Sequence, residues 1–139
     1  MRLIIFILII IFASLDFVII NLFHEHLNFV YNPGIAFGIF RDMPGFSLLI
    51  QVISAFILLF ITYFARDKLI KLFLALMSAG AAANLLSRII NGHVIDYIPM
   101  MIFNMNFNIA DLEIFCGAFI IFLIHLFNNT LDQKTAGTK

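Results

Sequence analysis

"LIIFILIIIFASLDFVIINLF", Leu3 to Phe23, follows Arg2 directly and is broken only by Ser14, Asp16 and Asn21. A cleaved export signal and a retained membrane span both open with a basic residue and an apolar run, and the length and ending of the run tell them apart. Here the run continues past Asp16 and no small-x-small cleavage site follows it, so the segment reads as a span that stays in the protein. At a rise of about 1.5 Å per residue, roughly 20 apolar residues cover the hydrocarbon core of a bilayer.

The rest of the chain agrees. Its 139 residues are 63% hydrophobic and 12% charged, against about 45–50% and about 25% in soluble domains. Three more apolar runs are long enough to span, roughly Phe46 to Phe64, Leu69 to Ile90 and Ile109 to Phe127. Residues 1–139 form one membrane domain, since four spans leave no room for a soluble module. Eight basic residues balance eight acidic ones, which excludes nucleic acid and other polyanions as expected partners. The lone Cys116 lies in an apolar run and reads as a small buried hydrophobe without a role.

Basic residues set the orientation. Arg66, Lys68 and Lys71 link spans two and three, Arg2 precedes the first span, and Lys134 and Lys139 follow the last; four spans put all of these on one side, the cytoplasm. The links from about Asn21 to Gly45 and from Asn91 to Asn108 then face outward, with only Arg41 and Arg88 adding positive charge. In the first link "HLNFVYN" alternates Leu27, Phe29 and Tyr31 against His26, Asn28 and Asn32 and ends at Pro33-Gly34, which predicts a small extracytoplasmic β-sheet element there. The second link, "YIPMMIFNMNF", is apolar and is expected to lie in the interface or dip inward. The stretch from about 128 to 139 reads as a disordered tail. The fold class is thus all-α membrane protein, with four transmembrane helices and that one sheet element.

Ionisable groups at membrane depth are expensive and face a cavity or a partner. Asp16, Arg88, Asp96 and Asp111 are such groups, and Asn84 shares a helix face with Arg88 four residues on. Each has a purely structural reading. Asn108 and Asp111 fit an N-x-x-D start of a helix, in which Asn caps and the acid meets the positive end of the dipole. Asp96 can close a turn, Arg88 can snorkel, and Asn84 can bond a neighbouring helix. Glu113, two positions past Asp111, points away from it and reads as an interfacial anchor. His24, His26 and His93 show no ligand spacing with the acids, so no metal is expected. Ser87 lacks any nucleophile motif.

Asp96 and Asp111 lie 111 − 96 = 15 residues apart, at one membrane face. Two carboxyl groups held close share a proton, so one acts as general acid while the other, as base, activates water against a carbonyl. That is peptide hydrolysis without a covalent intermediate. The dipole at Asp111 favours its ionised form and so the base role.

These residues resemble the lipoprotein signal peptidase (signal peptidase II) family of membrane aspartic peptidases. "FNIAD", 107 to 111, is similar to its F-N-x-A-D signature. "ANLLSRIINGHVIDY" keeps the register of its G-N-x-x-D-R-x-x-x-G-x-V-x-D-F element at Asn84, Arg88, Gly92, Val94 and Asp96, and "NPGIAFG", 32 to 38, resembles its N-x-G-A-A-F element. The resemblance implies that Asp96 and Asp111 are the catalytic dyad. It implies that Asn32, Gly34, Asn84, Arg88, Asn108 and Asp16 support the site or hold substrate. It further implies a prolipoprotein substrate whose cysteine already carries diacylglycerol, cut just before that cysteine, with no cofactor. The expected setting is a monomer among the lipids of the bacterial cytoplasmic (inner) membrane, with both termini cytoplasmic and the site at the extracytoplasmic face. Ser87 stands where the family has an aspartate, which removes an expected partner of Arg88. Ala83 replaces a glycine, Ile35 an alanine, and Asp16 lacks the glutamine and lysine expected after it. The alternative reading is a catalytically impaired, lipoprotein-binding relative; an ion or proton carrier built on Asp16 and Arg88 comes last, because no broken helices recur in matching halves.

Overall fold

The computed structural model describes residues 2–23, 28–35, 39–101 and 105–136. Its elements in chain order are α1 (Arg2–Phe23), β1 (Val30–Asn32), α2 (Pro44–Phe64), α3 (Lys68–Asn91), β2 (Val94–Asp96), β3 (Ile98–Met100), β4 (Met105–Phe107) and α4 (Ile109–Ala136). Among the described residues, four helical stretches are long and apolar enough to cross a membrane: Leu3–Phe23, Pro44–Phe64, Lys68–Asn91 and Ile109–Asn129. They correspond to the four predicted spans.

Local chemistry sets the helix ends. Pro44 opens α2, where its missing N–H costs nothing. Asp67 caps α3 by accepting from the Ile70 amide at 2.8 Å. Gly92 closes α3 in the left-handed region, φ +78°, and its N–H reaches the Arg88 carbonyl at 2.9 Å. α4 continues through Ala136, in place of the disordered tail expected from about 128, because no helix breaker occurs before Gly137.

α3 is the central helix: α1, α2 and α4 all pack on it. Its sequence explains why. Ala75, Ser78, Ala79, Gly80, Ala81 and Ala83 are buried, and small residues let backbones approach closely where lipid offers no hydrophobic drive to associate. At Gly80 an added Cβ would lie 2.3 Å from the Ala110 carbonyl oxygen, and at Gly117 of α4 it would lie 2.8 Å from the Phe73 carbonyl oxygen. Glycine is what permits the α3–α4 contact. A hydrogen bond of 2.9 Å between the Thr62 and Ser78 hydroxyls ties α2 to α3. Large apolar side chains of α1, α2 and α4 point outward, among them Phe6, Phe56 and Phe122. Cys116 is also exposed on α4, not buried as its apolar surroundings suggested, because burial on this helix follows the face turned to α3.

The sheet element expected between the first two spans is present as β1, and its partner lies in the link between α3 and α4. β1 pairs antiparallel with β2, Val30 opposite Asp96 and Asn32 opposite Val94, so the link between α1 and α2 and the link between α3 and α4 are stitched together. A single extended stretch leaves its own N–H and C=O groups unpaired; the partner comes from "VID", whose Val94 and Asp96 are buried. Within the second link β3 also pairs antiparallel with β4, Ile98 opposite Phe107 and Met100 opposite Met105. Leu27 and the histidines at 24 and 26 lie outside the described residues, as do residues 36–38 of the "NPGIAFG" stretch.

Candidate active site

β2 ends in Asp96, and Asn32 stands at the end of β1 on the neighbouring strand. Pairing of the two strands brings the Asn32 amide to Asp96, with Nδ2 donating to Oδ2 at 3.2 Å. On the other side Asn108 precedes α4 and caps it. Its Oδ1 accepts from the Asp111 N–H at 2.8 Å, and Asp111 Oδ2 accepts from the Asn108 N–H at 3.3 Å. This reciprocal pair is the N-x-x-D cap read from the sequence. The structural reading of Asp111 is therefore met.

Asn108 is almost wholly buried, and its Nδ2 carries two hydrogens that find two acceptors: Asp96 Oδ1 at 3.1 Å and Asn84 Oδ1 at 2.9 Å. Asn84 Nδ2 in turn donates to Asp111 Oδ1 at 2.9 Å. Every oxygen of the two carboxyl groups thus accepts from an amide, and Asn108 bridges the acids. Burial, the nearby charge of Asp111 and the more distant one of Asp16 push the Asp96 carboxyl up to about 7, against the opposing pull of its bonds from Asn32 and Asn108. Near neutrality Asp96 is poised to hold or release a proton.

Asp16 reaches the site from α1. Its Oδ1 accepts from the Ile109 N–H and its Oδ2 from the Ala110 N–H, both at 3.0 Å, and the Tyr97 hydroxyl donates to Oδ1. Burial, followed by the Asp16 carboxylate, raises the Tyr97 phenol well above its ordinary range, so it stays a donor. Asp16 is therefore a clamp on the first turn of α4, the turn that carries Asp111.

Arg88 is buried and does not snorkel. Its guanidinium donates to Gln51 Oε1 of α2 and to the carbonyls of Gly34 and Asn32, while among the described residues Nε has no partner. Gly34 also donates its N–H to Asn32 Oδ1 at 3.0 Å. Arg88 thus holds the turn after β1, and with it the amide that serves Asp96. Gln51 fills the place of the acid that Ser87 was expected to leave vacant. Ser87 itself donates to the His93 carbonyl at 3.2 Å, a contact an ionised carboxylate cannot make. His93 packs edge-on against Tyr31, ring centroids 4.5 Å apart.

The structure brings together Asp96, Asp111, Asn32, Gly34, Asn84, Arg88, Asn108 and Asp16. Gln51 and Tyr97 were missed. Gln51 was detectable as the lone amide side chain in the second apolar run, and Tyr97 only as the neighbour of Asp96. Glu113 is no interfacial anchor: it is buried, and among the described residues neither of its carboxyl oxygens is bonded. Its place on the face of α4 that turns inward, as Ala110 and Gly117 do, decides this. Among the described residues no group of three metal-ligating side chains occurs. A cavity of about 190 Å³ between α1 and α3 reaches Asp16, Asn84 and Asn108 and is walled mostly by apolar groups such as Phe17, Ile20 and Ile90.

Comparison with known proteins fits this geometry. A family model described as signal peptidase (SPase) II matches residues 3–127. A lipoprotein signal peptidase of Moorella thermoacetica is 38% identical over 98 residues, covering 69% of this chain and 65% of that protein. One of Cellvibrio japonicus is 34% identical over 138 residues, covering 91% and 79%. A bacterial membrane enzyme solved in meso at 2.3 Å shares the fold, with a TM-score of 0.74 at 24% identity over 91% of this chain and 88% of that one. With the family match running through all four spans and the amide-ringed acid pair, this chain belongs to the signal peptidase II family.

Proposed function

We propose that this chain is a membrane aspartic endopeptidase that removes signal peptides from diacylglyceryl-modified prolipoproteins, cutting before the lipidated cysteine. The observation that carries this reading is the closed ring in which Asn32, Asn84 and Asn108 hold the four oxygens of Asp96 and Asp111. Asp111, fixed by a main-chain N–H at the positive end of α4, is assigned as the base that takes a proton from water. Asp96, carrying its proton near neutral pH, is assigned as the acid. The water oxygen adds to the scissile carbonyl carbon, Asp96 protonates the departing nitrogen as the C–N bond breaks, and the proton on Asp111 returns the pair to its starting charge. Each acid depends on an amide donor, so a shift of either strand or of α4 breaks the alignment.

The lipidated substrate is supported by the printed function of the relatives, lipoprotein signal peptidases. It is also supported by the place of the acids, at the ends of α3 and α4 beside an apolar cavity that suits a bond cut next to an acyl-anchored residue. Arg66, Lys68 and Lys71 lie at the opposite end of the spans, so the positive-inside rule assigns the dyad to the extracytoplasmic face and both termini to the cytoplasm.

The test is cleavage of a purified diacylglyceryl prolipoprotein beside the same precursor without lipid, with the products weighed by mass spectrometry. The lipidated form should be cut once, before its modified cysteine, and the unmodified form should survive. Intact lipidated precursor under conditions where it binds would turn the reading to the non-catalytic relative.

A further inference from the structure

Lys71 stands in the first turn of α3, at the end of the bundle away from the dyad, and is 6% exposed. Its Nζ donates to the Tyr63 carbonyl, in the last turn of α2, at 3.3 Å. This bond uses one of three N–H donors and does nothing for the charge. Among the described residues no carboxylate pairs with Lys71; the neighbouring acid, Asp67, is exposed and accepts from the Ile70 amide through Oδ1. A buried ammonium without an anion is costly in hydrocarbon.

Beside Lys71 a groove of about 120 Å³ opens between α1 and α2, which both pack on α3. Ile5, Phe6 and Ile9 of α1 and Leu59 of α2 wall it. A small hydrated anion gains nothing from such walls, whereas an acyl chain does. Arg66 and Lys68 carry further positive charge at the same end, and basic pockets between spans attract anionic headgroups.

We propose that this groove binds one anionic phospholipid, its phosphate accepting from Lys71 Nζ and one acyl chain lying along Ile5, Ile9 and Leu59. A zwitterionic lipid brings its own ammonium and leaves the charge of Lys71 unanswered. The site is separate from the dyad and does not rest on the peptidase reading.

Native mass spectrometry of the whole protein in detergent, titrated with phosphatidylglycerol or phosphatidylcholine, reads this directly. The parent should retain one phosphatidylglycerol in preference to phosphatidylcholine. Lys71→Met should lose about fivefold or more of that retention, Lys71→Arg should keep it, and glycerol 3-phosphate should fail to displace the lipid. Ile9→Trp, which fills the groove and leaves Lys71 and its bond to Tyr63 in place, should also lose retention and decides the matter if Lys71→Met does not fold. Undiminished retention in folded Lys71→Met or in Ile9→Trp, or displacement by glycerol 3-phosphate, overturns the proposal.

Discussion

Replacing Asn32 by alanine removes one of the two amides that hold Asp96, the Nδ2 bond to Oδ2 at 3.2 Å. That bond favours the ionised carboxylate and works against the burial and the nearby charge that raise the group to about 7. A hydrogen bond to a charged acceptor contributes about 1.5–3 kcal/mol, and one pH unit corresponds to about 1.36 kcal/mol. At 3.2 Å the bond is at the long end of its range, so the lower figure applies and the shift is about one unit upward. With Asp96 as the acid of the free enzyme, kcat/KM falls on the alkaline side as its proton is lost. The assay is kcat/KM on diacylglyceryl prolipoprotein from about pH 5 to about pH 9.5. The parent should turn down near 7 and Asn32→Ala near 8, whatever happens to the maximum rate. Asn32→Ala also frees the Gly34 N–H, which lowers the plateau and leaves the limb alone. A limb that stays in place, or moves toward acid, refutes the assignment of Asp96 and its proton.

Asp96→Asn should gain thermal stability relative to the parent as pH rises. The ordinary value of 3.8 is raised to about 7 in the fold, so the stability linked to this group is full below about 4 and is lost as pH climbs to about 7. At most about 4 kcal/mol is at stake, less the cost of turning an amide toward the donors of Asn32 or Asn108; a Tm difference independent of pH would contradict the sign. Glu113→Leu should raise Tm by removing two buried, unbonded oxygens, a gain of about 1–3 kcal/mol in thermal unfolding; a loss would mean that the carboxyl has a partner. Gly80→Ala should lower stability by about 1–3 kcal/mol and reduce kcat/KM as well, because its Cβ would press on the Ala110 carbonyl next to Asp111. Unchanged kinetics there would show that α4 gives way without disturbing the acid.

Spans were legible because hydrocarbon demands long apolar runs, and little else crosses a bilayer. The cap at Asn108 was legible, since local chemistry dictates it. The pairing of β1 with β2 was not, because a strand's alternation says that it wants a partner and not which one. Gln51 was missed for the same reason: its partner Arg88 is 88 − 51 = 37 residues away, and only helix packing makes the meeting visible. Glu113 was misjudged because its neighbour Asp111 drew attention to one face of α4, while the packing of α3 through Gly80 and Gly117 buries another. Asp96 and Asp111 stood out as carboxylates in an apolar setting, but the amide ring that joins them exists only in three dimensions.

The central claim is that Asp96 and Asp111 act as a pair, and the most direct measurement is the cleavage rate of diacylglyceryl prolipoprotein by the parent, Asp96→Asn and Asp111→Asn at equal folded concentration. Cleavage by the parent and a fall of about four orders of magnitude or more in both variants, with substrate still bound, is expected of two acids that share one proton. Turnover by either variant within about tenfold of the parent would contradict it.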